Sequence, residues 1–299
     1  MMIAKCSAAI RATGWKGRLM RWVICALVVL VPASSAFAQD FDVLRGSQTV
    51  GPATFLNWSG FYVGGQFSYS NATADFSKGT QAPIAYALRE TGLQNLFAPS
   101  TWPVLGTASQ PKPAYGGFLG YNSQWQDLII GAEGTFSHTT FSLVAPTSMI
   151  SRVTPQTATT APYLVNISGT AAASNIDYGT LRGRAGWIAG NFLPYGFAGL
   201  AIGHGNVNVT ANVWGEQNPP SGPVLCGPND NPPCVPFSFT GTAGKNGEWL
   251  LGFAVGGGLD WAVTRNLFLR AEYEYVQFAP IANVVININT ARVGAGIKF

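Results

Sequence analysis

Two histidines, two close-set cysteines and six charged side chains on alternating positions are the residues of this sequence that could do chemistry. His138 and His204 are the only two histidines. A histidine works as a catalytic base when an orienting group and a nucleophile stand within hydrogen-bond reach. Neither lies in a helical metal motif, and no G-x-S-x-G elbow occurs in the chain. A rim serine brought to His138 or His204 by the fold could still build a hydrolase or acyltransferase site. The pattern favours no enzyme, no catalytic residue, no metal and no cofactor. Gly116-Gly117 and Gly256-Gly257-Gly258 have no following helix to hold a phosphate, and as strand glycines they suit the curvature of a narrow barrel.

The cysteines point to a different chemistry. Cys6 and Cys25 lie in the basic-apolar leader described below, which leaves Cys226 and Cys234 at the ends of Cys226-Gly-Pro-Asn-Asp-Asn-Pro-Pro-Cys234. In an oxidising compartment such a pair is expected as a disulfide closing a small loop. A zinc site is the weaker alternative, because it needs four ligands and no other Cys or His stands near.

The charges are Glu133, Arg182, Arg184, Arg270, Glu272 and Arg292. In Leu267–Phe278, Leu269, Ala271, Tyr273 and Tyr275 alternate with Arg270, Glu272 and Glu274. Leu181, Ala185 and Trp187 alternate with Arg182 and Arg184, and Val293, Ala295, Ile297 and Phe299 alternate with Arg292 and Lys298. If the apolar face of each strand meets lipid, a cation turned onto it costs roughly 2–4 kcal/mol at mid-bilayer. That penalty fixes which face points inward. The six charges then lie at similar depth and are expected to form one interior ion-pair network, with Glu272 and Arg292 as neighbours across the last hairpin. Eight strands enclose only enough space for their own side chains, which favours a packed polar plug over an ion pathway.

The elements that position these residues are strands. Alternation with period 2 begins at Trp58, where Phe61, Val63, Phe67 and Tyr69 share one face and Tyr62, Gln66, Ser68 and Ser70 the other. Similar runs fall near 113–124, 127–138, 175–189, 193–207, 247–262, 266–278 and 284–299. Connections near Trp125-Gln126, Gly190-Asn191 and Thr264-Arg265 are tight, and the one at Ala279–Asn283 is short. Those at 71–112, 139–174 and 208–246 are long and rich in Thr, Ser, Ala, Pro and Asn, which reads as flexible solvated loops. Short periplasmic turns and long extracellular loops are the habit of bacterial membrane barrels. The expectation is an all-β, eight-stranded antiparallel transmembrane up-and-down β-barrel spanning 58–299. Trp58, Trp125, Trp187, Trp261 and Phe299 would make its periplasmic aromatic girdle, and Tyr69, Phe136, Trp249, Tyr275 and Phe278 the outer one. A soluble lipocalin would put its apolar face inward, the reverse of this pattern.

The leader explains an apparently basic balance. Lys5, Arg11, Lys16, Arg18 and Arg21 are five of 17 Lys and Arg, and without them 12 basic side chains face 13 acidic ones. The basicity therefore belongs to an export signal, and no nucleic-acid partner is expected. An apolar run from Trp22 to Val31 and the small residues of Ala36-Phe37-Ala38 predict a signal peptide over 1–38, cut between Ala38 and Gln39. Translation from Met1 or from Met20 leaves the same cut. Residues 39–57 read as a periplasmic N-terminal tether.

Asn57-Trp-Ser-Gly-Phe-Tyr-Val-Gly-Gly65 resembles the opening strand of the alphaproteobacterial outer-membrane immunogenic protein family, an OmpA-like small-barrel "porin family" class. Leu44-Arg-Gly-Ser47, Gly120-Tyr-Asn122, Gly179-Thr-Leu-Arg-Gly-Arg184, Leu267–Phe278 and the Gly-Ile-Lys-Phe299 end are similar in kind and order. The long loops depart from it. The resemblance implies the cell outer membrane and a structural, surface-exposed role, with a narrow or specific porin-type channel as the alternative. Expected partners are outer-membrane lipid and lipopolysaccharide and the outer-membrane assembly machinery, with Phe299 as the C-terminal assembly signal. It names no partner for the loops.

Overall fold

The computed structural model describes residues 57–155, 162–217 and 234–299. The signal peptide with its cut at Ala38 and Gln39, the tether up to residue 56 and Cys226 lie outside the described residues.

Eight long strands close on themselves: β1 (Gly60–Asp75), β2 (Thr107–Trp125), β3 (Leu128–His138), β6 (Tyr163–Trp187), β7 (Phe192–Gln217), β8 (Val235–Ala262), β9 (Leu267–Phe278) and β10 (Val285–Lys298). Each pairs antiparallel with its sequence neighbour, β1 pairs with β10, and β3 pairs directly with β6. The short β4 (Ser142–Val144) and β5 (Ser148–Val153) pair with the upper part of β6. Alternation decides the faces. On β9, Leu267, Leu269, Ala271 and Tyr273 are exposed, while Phe268, Arg270, Glu272 and Glu274 are buried. An exposed apolar band of this kind recurs on the other long strands, as a lipid-facing wall requires.

The expected strand ends are too short. Crossing a bilayer takes about 9–11 tilted residues, whereas β7 runs for 26 residues and β8 for 28. The stretches 163–174, 208–217 and 235–246, read from sequence as loop, are paired strand. The physical reason is a change in the outward face, which β7 shows. On β7 the outward face carries Leu200 and Ile202 and then Asn206, Asn208, Thr210 and Asn212. Its inward face is apolar throughout, from Leu193, Tyr195, Phe197 and Ala201 to Val207, Val209, Ala211 and Val213, all buried. Below the change the surroundings are apolar and above it they are water, so the outward face loses its apolar side chains while the inward face stays buried. Register shifts at Ser174/Asp177 and at Gly205/Val207 sit at this level, and Gly247 there has φ +67°. Such bulges add local twist and bend the wall.

The expected loop 71–112 is also ordered. It holds helices Gln81–Ala87 and Gly92–Phe97, the second capped by the Thr91 side chain, which accepts from Gln94 N. Ile84, Leu88 and Leu93 pack against Val165, Ile167, Ala211 and Val213 and fill the top of the extension. A second apolar cluster, including Phe76, Phe141, Tyr178, Val276 and Phe278, lies beneath it. A third, of Trp58, Tyr62, Phe118, Tyr195, Phe197 and Phe268, fills the opposite end. Two girdle assignments are therefore corrected: Trp58 and Phe278 are buried inside the barrel, while Trp125, Trp187, Trp261 and Phe299 face outward. Trp58 precedes β1 and packs edge-on against Phe268, so this tryptophan closes the lumen floor.

Candidate functional site: the interior ion-pair plug

The register brings ion partners together before any side chain is placed. Glu133 of β3 lies opposite Arg182 of β6, Asp260 of β8 opposite Arg270 of β9, and Glu272 of β9 opposite Arg292 of β10. All point inward, and their side chains are between 0 and 1% exposed. At that burial an unpaired charge costs several kcal/mol, so every charge is paired, although Arg184 Nε and Arg292 Nε and Nη1 make no hydrogen bond.

Arg182 is the centre. Its Nε donates to Glu133 Oε1 at 3.1 Å, and Nη2 donates to the same carboxylate. Nη1 and Nη2 grip the two oxygens of Glu272 at 2.7 and 2.6 Å, and Nη1 also reaches Glu274 at 2.9 Å. These contacts engage all five N–H donors of the guanidinium. Arg270 binds Asp260 through Nε at 2.8 Å and Nη2 at 3.1 Å, and Glu133 through Nη1 at 2.8 Å. Arg184 donates to Asp260 at 2.7 Å and to Glu133 at 3.2 Å. Arg292 donates through Nη2 to Glu274, while its Nε stands 3.4 Å from Glu272.

Two tyrosines complete the layer. Tyr62 donates to Glu133 at 2.6 Å and Tyr195 to Glu272 at 2.8 Å. Arg182, Arg184 and Arg270 lie over the rings of Phe197, Tyr195 and Phe118 at 3.8, 3.7 and 4.1 Å, a stacking suited to a planar cation. The strand glycines acquire a second explanation here. A Cβ at Gly120 would stand 2.4 Å from the Tyr62 hydroxyl, and one at Gly258 would stand 2.7 Å from that of Tyr195. The missing side chains make room for the tyrosines that hold the carboxylates.

The structure brings together all six charges read from the sequence. It adds Asp260 and Glu274, making four arginines against four carboxylates among the described residues. Glu274 was legible, since it shares the parity of Arg270 and Glu272. Asp260 had a weaker signal, standing alone on the inward face of a glycine-rich strand.

The histidines sit elsewhere, at the outer end of the apolar band. His138 Nδ1 is 2.9 Å from Asp177, whose strand register places it opposite His204. Their rings lie 5.3 Å from those of Tyr115 and Trp249 respectively. Among the described residues there is no group of three or more His, Cys, Asp or Glu that could hold a metal ion. Phe299 is exposed at the opposite rim, its backbone N–H bonded to Phe61 O at 2.9 Å. Cys234 immediately precedes β8.

Comparison with known proteins gives this barrel its setting. Residues 23–299 match the outer membrane protein beta-barrel domain. The chain is 25% identical over 305 residues to the 31 kDa outer-membrane immunogenic proteins of Brucella melitensis and Brucella suis, covering 94% of this chain and 100% of each relative. Among solved structures, Neisserial surface protein A is similar at 16% identity with a TM-score of 0.34, covering 81% of this chain and 98% of that one. Ail, the attachment invasion locus protein of Yersinia pestis, is similar at 15% identity with a TM-score of 0.30, covering 81% and 99%. The protein's place is the bacterial outer membrane, and the chain belongs to the outer membrane protein beta-barrel domain family.

Proposed function

We propose that this protein is a closed, non-catalytic structural barrel of the outer membrane that presents its long-strand extension at the cell surface. The observation that carries the reading is the charge-balanced plug, whose side chains are between 0 and 1% exposed and which has apolar clusters on both sides. A section filled by its own side chains supports the closed reading, as expected for eight strands. The curated relatives are named outer-membrane immunogenic proteins, which supports carrying a surface-exposed, antigenic role over to this chain. A cleaved leader, a Cys226–Cys234 disulfide and recognition of Phe299 by the assembly machinery belong to the same reading of an exported protein.

Planar-bilayer recording separates this from a narrow channel. The purified protein is expected to give no steady single-channel conductance. A steady open level that changes when Glu272 is replaced by Gln would overturn the closed-barrel reading in favour of a pore.

A further inference from the structure

At the far end of the extension the inward face of the strands stays apolar but loses its cover. Val165 of β6 and Val213 of β7 are buried, whereas Tyr163, Phe237 and Phe239, on the same inward parity, are half-buried. The register sets Tyr163 opposite Gln217 and Gln217 opposite Val235, which makes these three the last rung across β6, β7 and β8. One rung below, Phe237 lies across from Gly215. The glycine gives that ring its place, since a Cβ there would stand 3.0 Å from the Phe237 Cζ. The first turn of the helix Gly92–Phe97 faces the rings, with Leu93 buried. Together these elements line a cavity of about 170 Å³.

The cavity opens inside the end of the strands and away from the lipid-facing band, so acyl chains do not cover it. Its volume is close to that of an engineered apolar cavity of about 150 Å³ that binds benzene. The rings already meet at angles that a further ring can join. Tyr163 and Phe237 are edge-on with centroids 6.3 Å apart, and Phe237 and Phe239 are tilted at 6.1 Å. None of the described lining residues is charged, which disfavours an ammonium or a carboxylate as ligand. Thr91 uses its hydroxyl locally, donating to Leu88 O at 2.7 Å and accepting from Gln94 N at 3.4 Å. Gln217 adds an amide on the last rung, with a donor and an acceptor for one polar substituent.

We propose that this cavity binds a neutral single-ring aromatic compound of the phenol type, with its ring among Leu93, Tyr163, Phe237 and Phe239 and its hydroxyl against Gln217. Backbone-amide NMR of the mature protein in lipid nanodiscs tests it, with para-fluorophenol as the probe. Saturable shifts are expected at 92–93, 217 and 235–239, with half-saturation at about 1 mM, as suits a ligand of so few atoms. Gly92→Phe fills the cavity from a position where a Cβ meets nothing within 4 Å, and it should weaken binding about tenfold or more. Gln217→Ala should weaken para-fluorophenol about fivefold and leave fluorobenzene unchanged. Cyclohexanol, which has the hydroxyl but no aromatic face, should bind about fivefold more weakly than phenol. Unshifted amides in β9 and β10 establish that each variant is folded. Absent saturation, shifts that survive Gly92→Phe, or equal binding of cyclohexanol each overturns the proposal. Tighter binding of a Gly-Tyr-Gly peptide at the same amides overturns it as well, in favour of an aromatic side chain from a protein partner. None of these results depends on bilayer conductance or on labelling of the intact cell surface, so the cavity and the closed-barrel reading fail separately.

Discussion

Arg182 engages three carboxylates at once, and so the plug is a single unit in which one substitution strands several partners. Arg182→Met removes one of the plug's four arginines and leaves Glu133, Glu272 and Glu274 sharing fewer donors. The expected loss is about 3–5 kcal/mol, read by urea titration of protein folded into lipid vesicles. Arg292 offers a finer test because its two carboxylates are unequally committed. Glu272 is already held by Arg182 and Tyr195, while Glu274 takes the Arg292 Nη2 contact. Adding Glu274→Gln to Arg292→Gln should therefore recover more stability than adding Glu272→Gln, with a coupling of about 1–3 kcal/mol. Equal recovery would show that the pairing is shared evenly. On the opposite face, Val293→Arg puts a cation into lipid one residue from Arg292, at a cost of roughly 2–4 kcal/mol. A harmless Val293→Arg would reverse the assigned parity of β10.

At the scale of the strand, tyrosine–glycine pairs tie one wall to the next. Tyr195 on β7 crosses Gly258 on β8 to reach Glu272. Gly258→Ala must displace that hydroxyl, and overpacking of this kind is expected to cost about 1–3 kcal/mol. Gly134→Ala on β3 meets nothing within 4 Å and serves as the near-neutral control. The extension makes its own prediction. Because Val207, Val209, Ala211 and Val213 are buried within paired strand, amide hydrogen exchange across 207–213 should be about as slow as across 193–200 in the membrane. Fast exchange there would restore the loop reading. Most of the strands were legible from alternation, and their upper halves were not. The pattern Val-Asn-Val-Thr-Ala-Asn-Val over 207–213 alternates as clearly as any membrane strand. Its Asn and Thr content suits a solvated loop equally well, and pairing with β6 and β8 is what makes it strand.

Taken as a whole, the described barrel is a wall with two solvents outside it. Its lower part faces lipid and encloses charge, and its upper part faces water and encloses Val, Ile, Leu and Phe. An exported protein of this design should carry its cysteines oxidised. Non-reducing mass spectrometry of the mature chain is expected to find Cys226 linked to Cys234, and two free thiols in fresh protein would remove the disulfide. Losing that bond should leave the barrel folded, since none of the plug residues falls between Cys226 and Cys234 in the sequence.

The sequence by itself determined the strand parity within the membrane, the eight crossings, the tight turns and the inward placement of Glu133, Arg182, Arg184, Arg270, Glu272 and Arg292. The reason is that hydrocarbon penalises an outward charge strongly enough for a period-2 pattern to have one solution. Only the tertiary structure decided what lies beyond the bilayer. There an Asn- and Thr-rich run can stay solvated as a loop as readily as it can pair, so alternation alone does not decide between loop and strand. It also decided the partners within the plug. Asp260 on β8 meets Arg184 on β6, and Glu133 on β3 meets Arg270 on β9. Those contacts cross a lumen whose width and stagger depend on all eight strands closing together.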